Sequence, residues 1–329
     1  MNANGAGPPL LRRRLVFVTG KGGVGKSAIA AALALAAARG GRRTLLIEVA
    51  GHDTAPGILA VPGRRSHRER ELAPNLYGVA IDVERAIEEY LVGQLRVRPM
   101  VDLLVRSRAF HHFAAAAPGL AELVTVGKIW TLATELRPGG QAPVWDLLVV
   151  DLPATGHGIA MLETAANVRE IAGSGPIRDQ ADRIQQVVSH PAATGIALVA
   201  RPEELAVTEA IEAAAELRAR GLPVALAVMN AAAERRFDAA DARVMTEAVG
   251  ALRTAPAGRR AGEGVLAALE AALVHREREI DDAEHIERLA AGVGVPVLEL
   301  PALVRRRLDV AAVGELADLV ARSPVSGAR

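Results

Sequence analysis

Gly20-Lys21-Gly22-Gly23-Val24-Gly25-Lys26-Ser27 follows directly on the apolar run Leu15-Val16-Phe17-Val18-Thr19 and leads straight into an alanine-rich stretch. The spacing is G-x-x-x-x-G-K-[ST], and a strand before it with a helix after it is the context in which such a loop cradles phosphates. Gly20, Gly22, Gly23 and Gly25, with Val24 between them, let backbone N–H groups converge with no Cβ in the way. The following helix turns its positive N-terminal end toward the same point. Lys26 is then placed to pair with β- and γ-phosphates, and the Ser27 hydroxyl to ligate Mg²⁺.

Composition narrows the remaining possibilities. At 329 residues the chain can bury a sizeable core, and with 50% hydrophobic but only 2% aromatic residues that core is built from Ala, Val, Leu and Ile, which suits helices packed over a parallel sheet. The formal net charge of +1 gives no general attraction to nucleic acid or anionic membranes. Cysteine is absent, which removes disulfides, thiol catalysis and any thiolate zinc or arsenite site. No apolar run approaches the length that spans a bilayer. A cytoplasmic protein with no nucleic-acid partner and no stable membrane insertion is expected.

Outward from the loop, residues 1–11 read as a disordered leader and 323–329 as a disordered tail, leaving 12–322 as one domain. Ser27 to Arg39 is a helix apolar all round, stopped by Gly40-Gly41, so it is expected to be buried. Thr44 to Val49 is a second buried strand. The charges from Arg64 to Glu71 read as a solvated loop, Leu76 to Ile81 as a short edge strand, and Asp82 as the N-cap of the next helix. A helical insertion is expected over about 84–140. Val144 to Val150 returns to a buried strand closing on Asp151, where a phosphate-loop enzyme places the acid that holds Mg²⁺ through water. After it, Leu152-Pro153-Ala154-Thr155-Gly156-His157-Gly158 reads as a loop suited to sensing a γ-phosphate, His157 being either a catalyst or an ordinary satisfied histidine. Further strands are expected at Gly195–Ala200, Pro223–Met229 and Val295–Leu300, a helical hairpin over about 234–289 broken near Pro256-Ala257-Gly258, and a last helix capped by Asp309. Strands alternating with helices predict an α/β fold with a doubly wound, mostly parallel sheet whose ligand lies at the carboxyl ends of the strands.

The loop's extra lysine at its second position, the deviant form, together with Asp151-Leu152-Pro153-Ala154-Thr155-Gly156-His157, resembles the arsenite-pump ATPase (ArsA) family, which also contains the guided-entry ATPase that targets tail-anchored membrane proteins. The likeness runs through Ala80-Ile81-Asp82, Gly127-Lys128, Gly175-Pro176-Ile177-Arg178, Val228-Met229-Asn230 and Leu298-Glu299-Leu300-Pro301, as in short bacterial single-domain members. It implies an ATP-binding, Mg²⁺-dependent, dimeric switch ATPase acting on a protein client, as a homodimer or a heterodimer with a paralogue. Lys21 is then the lysine that reaches the partner's nucleotide, with only that partner's phosphates to complete its hydrogen bonds. Asn230 becomes the reader of adenine, and Pro301 opens the wall of the adenine pocket; on the residues alone Asn230 could equally be a plain strand-end asparagine.

Three departures from the family pattern shape the reading. The metalloid-binding and zinc-binding cysteines are missing, as is a Met-rich insertion, since the chain has 5 methionines; arsenite pumping and capture of transmembrane helices do not carry over. Ala50 stands where the family's first switch loop has the aspartate that positions water, with Asp53 three residues on and Glu48 two before. Slow hydrolysis with Asp53 as a substitute is the leading expectation. Rival readings are a hydrolysis-deficient regulatory subunit, a positioning ATPase like the partition and septum-placement proteins, and a dethiobiotin-synthetase-type ligase.

If the loop binds nucleotide, Mg-ATP at about a hundred times its dissociation constant stabilises the fold by about 2.7 kcal/mol, and Lys26→Ala abolishes the gain. Thermal unfolding of both proteins with and without Mg-ATP checks this, and identical shifts in the two would contradict it.

Overall fold

The computed structural model describes residues 7–49, 68–95, 119–171, 174–254, 260–305 and 308–322. Its sheet has eight strands, β1 Leu15–Gly20, β2 Thr44–Val49, β3 Arg70–Ala73, β4 Leu76–Ile81, β5 Leu147–Asp151, β6 Thr194–Ala200, β7 Val224–Ala232 and β8 Val297–Pro301, in the order β3-β4-β2-β5-β1-β6-β7-β8. Every pairing is parallel except that of β3 with β4. The helices are α1 Lys26–Arg39, α2 Val83–Leu95, α3 Leu120–Thr134, α4 Thr155–Ile171, α5 Pro176–Ser189, α6 Glu204–Ala219, α7 Ala239–Thr254, α8 Arg260–Val293 and α9 Val310–Arg322.

Strand alternation divides the core. In β1, Leu15 and Phe17 face one layer while Val16 and Val18 face the other, the period-2 placement that a sheet covered on both faces requires. The second layer holds α1, whose residues 28–38 are all buried, because the sheet lies beneath it, α9 packs over it and Leu10 and Leu11 close its side. Alanine suits a helix hemmed in this way, since its small side chain lets neighbouring backbones approach with no rotamer entropy lost. At the other face Arg43 stacks over Tyr77 and Trp145, with centroid distances of 4.6 and 4.9 Å.

Three expectations are corrected by this architecture. The described part of the leader, residues 7–11, is packed rather than frayed: Pro9–Arg12 form a 3-10 turn, and Leu10 and Leu11 are buried. Leu76–Ile81 is not the edge, because Arg70–Ala73, expected to end a loop, forms an antiparallel strand outside it. The charged Arg70 and Glu71 suit that place, since charge on an edge strand discourages pairing with another chain. The loop expected at 152–158 is shorter, as α4 begins at Thr155 and takes His157 into its first turn. The hairpin comprises α7 and α8, and its break at 256–258 lies outside the described residues, as does much of the insertion between α2 and α3. Asp82 and Asp309 cap their helices, accepting from the amides of Arg85 at 3.0 Å and Ala312 at 2.9 Å. Among the described residues no helix is long and apolar enough to cross a membrane.

Gly20 is where the sheet dictates sequence. Its φ is +154°, and a Cβ there would lie 2.2 Å from the Val199 carbonyl oxygen of β6, a clash of backbone with backbone that rotamer changes cannot relieve. Gly20→Ala is expected to cost about 3 kcal/mol or more, measured as a lower denaturation midpoint at unchanged m-value; an unchanged midpoint would contradict the geometry.

Candidate nucleotide site

The strand ends set the site. Gly20, Asp151, Ala200 and Asn230 lie at or near the carboxyl ends of β1, β5, β6 and β7, the edge at which a doubly wound sheet binds its ligand. Beyond β1 the loop turns into α1 through Gly25, left-handed at φ +94°, whose carbonyl accepts from Ile29 N at 3.0 Å. Around Gly22 and Gly23 nothing stands within 4 Å of where a Cβ would be, so a cradle is left open above backbone amides and a helix N-terminus. Polyphosphate fits it.

The charges are arranged around this cradle. Lys26, half-buried, donates from Nζ to the Lys21 carbonyl at 3.1 Å. Burial lowers its pKa, and the negative field of Asp151 works in the opposite direction. Asp151 is itself buried at the end of β5. In the parallel register it lies beside Glu48 of β2, and alternation with Leu46, Leu147 and Val149 puts both carboxylates on the α1 side of the sheet. Thr19 Oγ1 donates to the Pro153 carbonyl at 3.3 Å, joining β1 to the segment that leads into α4. At the start of that helix His157 Nε2 lies 3.8 Å from Glu122 of α3. Ser27 is half-buried in the first turn of α1.

Lys21 differs from the expectation. Its ammonium is 2.7 Å from Glu209 Oε1 of α6, so a partner's phosphates are not the only groups that can satisfy it. Asn230 is drawn into the loop, its Nδ2 donating to the Val24 carbonyl at 2.8 Å. A Cβ on Gly25 would lie 2.4 Å from that same nitrogen, so a side chain there would displace the asparagine from its bond to the loop. In the β7–β8 register Asn230 lies opposite Leu300, and Pro301 follows opposite Ala232. The residues brought together are therefore 20–27, 151, 230 and 301. Ala50 and Asp53 lie outside the described residues.

Sequence reading missed what holds the segment after Asn230. Ala231 is left-handed at φ +61° and sits in a register shift between β7 and β8, a bulge that bends the chain away from the strand. Two buried carboxylates of α8 fasten the segment beyond the bulge: Asp282 accepts from Ala233 N at 2.6 Å and Glu279 from Arg236 N at 2.7 Å. His275 Nε2 meets the Glu234 carbonyl at 2.9 Å. A signal existed, because Glu279 and Asp282 fall on the stripe of Ile286, Leu289 and Val293 at alternating spacings of three and four, and an acid on an apolar stripe demands a buried partner.

Comparison with known proteins gives the family. The family described as anion-transporting ATPase (ArsA_ATPase) matches residues 13–174. The ATPase BagA of Mycobacterium tuberculosis H37Rv is 33% identical over 324 residues, covering 95% of this chain and 94% of the relative. A putative ATPase of Mycobacterium bovis, Mb3704, gives the same figures. The arsenical pump-driving ATPase of Escherichia coli is 26% identical over 264 residues, which is 74% of this chain but 44% of that protein. The chain belongs to the ArsA ATPase family.

The α8 carboxylates make a pH prediction. Burial on its own raises the Glu279 pKa, but the Arg236 amide, Arg276 and His275 outweigh it and hold the carboxyl below its ordinary value of 4.5. A depressed folded-state pKa stabilises above the unfolded value and is lost as pH falls through the folded one. Glu279→Gln is therefore expected to destabilise at pH 7, the gap to wild type closing as pH falls from the ordinary value of 4.5 through the lower folded-state pKa. Denaturant titrations across that range check it, and a stability gap independent of pH would contradict it.

Proposed function

We propose that the chain is a cytoplasmic, homodimeric, Mg²⁺-dependent ATPase that hydrolyses ATP slowly to drive a conformational cycle on a protein client. The observation that supports it best is the half-buried Lys26 amine, set between an open glycine cradle and the buried carboxylate of Asp151. An ammonium partly stripped of water gains more from a phosphate than a fully hydrated one does.

In this reading the amides of residues 20–25 and the N-terminus of α1 orient the triphosphate, Lys26 neutralises its β- and γ-oxygens, and Asn230 and Pro301 flank the base. Ser27 would hold Mg²⁺ directly and Asp151 would hold it through water. Bound Mg²⁺ would offset charge developing on the phosphate oxygens during phosphoryl transfer. Thr19 and Pro153 carry the state of the loop to α4, and His157 carries it on to Glu122 of α3. That helix borders a cavity of about 250 Å³ lined by Ala86, Leu123, Val124, Gly127 and Ile184, with Lys128 and Glu89 paired 2.6 Å apart at its rim. The cavity favours the helical insertion as the face turned to the client. Lys21 completes a second chain's nucleotide once its own ion pair opens.

Ala50 favours a second reading, a silent ATP-binding subunit, because the attacking water lacks the family's carboxylate at that position. Positioning that water is most of what a loose phosphoryl-transfer transition state asks of the protein. Single-turnover hydrolysis separates the two: slow wild-type turnover, reduced about tenfold or more in Asp53→Asn, is expected. Turnover absent in wild type and restored by Ala50→Asp would identify the silent subunit instead.

A further inference from the structure

Lys21 and Glu209 are 188 residues apart in sequence and 2.7 Å apart in space, with side chains 27% and 36% exposed. Glu209 is held where it is by its helix. Ala206, Val207, Ala210 and Ala213 of α6 are buried against the sheet, so the carboxylate is carried on a fixed backbone. Two other acids of α6 are engaged elsewhere, Glu204 with Arg288 of α8 and Glu216 with Arg220. Glu209 alone of these three is aimed at the phosphate loop. Lys21 meanwhile accepts from Lys26 through its carbonyl, so its main chain serves its own site while its side chain is drawn off to α6.

We propose that Glu209 is an internal counter-ion that restrains Lys21: it competes with phosphate for the ammonium and sets the threshold at which nucleotide assembles the dimer. The inference rests on the reading of Lys21 as a group that engages a second chain's nucleotide. The physical case is a balance. A carboxylate–lysine pair this exposed shifts an equilibrium by only about two- to fivefold, too little to block the transition and enough to delay it. A triphosphate outcompetes a single carboxylate for the lysine, because its several negative charges attract the ammonium more strongly than one does. Glu209 is thus a positioning residue, acting on the nucleotide only through Lys21.

The test measures dimer dissociation constants in saturating Mg²⁺ and a non-hydrolysable ATP analogue, by sedimentation, for wild type, Glu209→Gln, Lys21→Ala and the double variant. Glu209→Gln is expected to tighten the wild-type dimer about two- to fivefold and to change nothing in the Lys21→Ala background. A merely structural surface pair would give no change with Lys21 present, or the same change in both backgrounds, and either result overturns the inference while leaving the functional reading intact. A wild type that stays monomeric with the analogue bound contradicts the dimer reading, and the inference falls with it.

Discussion

The approach of β1 to β6 at Gly20 is the constraint on which the rest depends. Because the backbone of Val199 occupies the space a side chain would need, the chain leaves β1 as glycine, turns at once into the loop and delivers Lys26 to the first position of α1. The character of Lys26 is set by that delivery. A helix buried on every side fixes the lysine's backbone, and the neighbouring strand β5 brings Asp151 close enough for its charge to act on the amine. Shifting β5 by one residue would reverse its alternation and turn the Asp151 carboxylate to the opposite face.

The site is closed from a distance by the β6-β7-β8 half of the sheet. Asn230 ends the regular part of β7, holds the loop through Val24 and is followed by a left-handed residue that bends the chain. Strain of this kind persists only where surroundings over-determine it, and here the surroundings are two carboxylates of α8 bonded to the amides of Ala233 and Arg236. The hairpin of α7 and α8 is therefore more than an appendage. Its longer helix is anchored to the sheet by Leu289 and Val293 and fastens the backbone that follows Asn230.

Local pattern made much of this legible. Continuous apolar runs ending in Gly20, Val49, Asp151, Ala200 and Asn230 mark strands buried on both faces, and the spacing of glycines and Lys26 marks the loop, because each depends on residues adjacent in sequence. What local pattern could not supply is contact between distant segments. The antiparallel β3 hides in a charged stretch, since an edge strand with one covered side needs no apolar run. Leu10 and Leu11 look like part of a leader until α1 and α9 are there to receive them. The partner of Lys21 had no local sign at all: a glutamate on α6, more than half the chain away from the loop, looks like any solvated charge. Glu279 and Asp282 were readable in principle, as acids on an apolar stripe, but which amides they serve depends on where β7 ends.

The central claim is that one loop binds the polyphosphate and exchanges the Glu209 pair for it. A crystal structure with Mg²⁺ and a non-hydrolysable ATP analogue tests this most directly. The expected result is a phosphate oxygen within hydrogen-bond distance of Lys26 Nζ, amides of residues 20–25 directed at the phosphates, and Lys21 Nζ withdrawn from Glu209 to phosphate oxygens across a two-fold axis. An analogue bound away from the loop, or bound there with Lys21 still paired to Glu209, would contradict it.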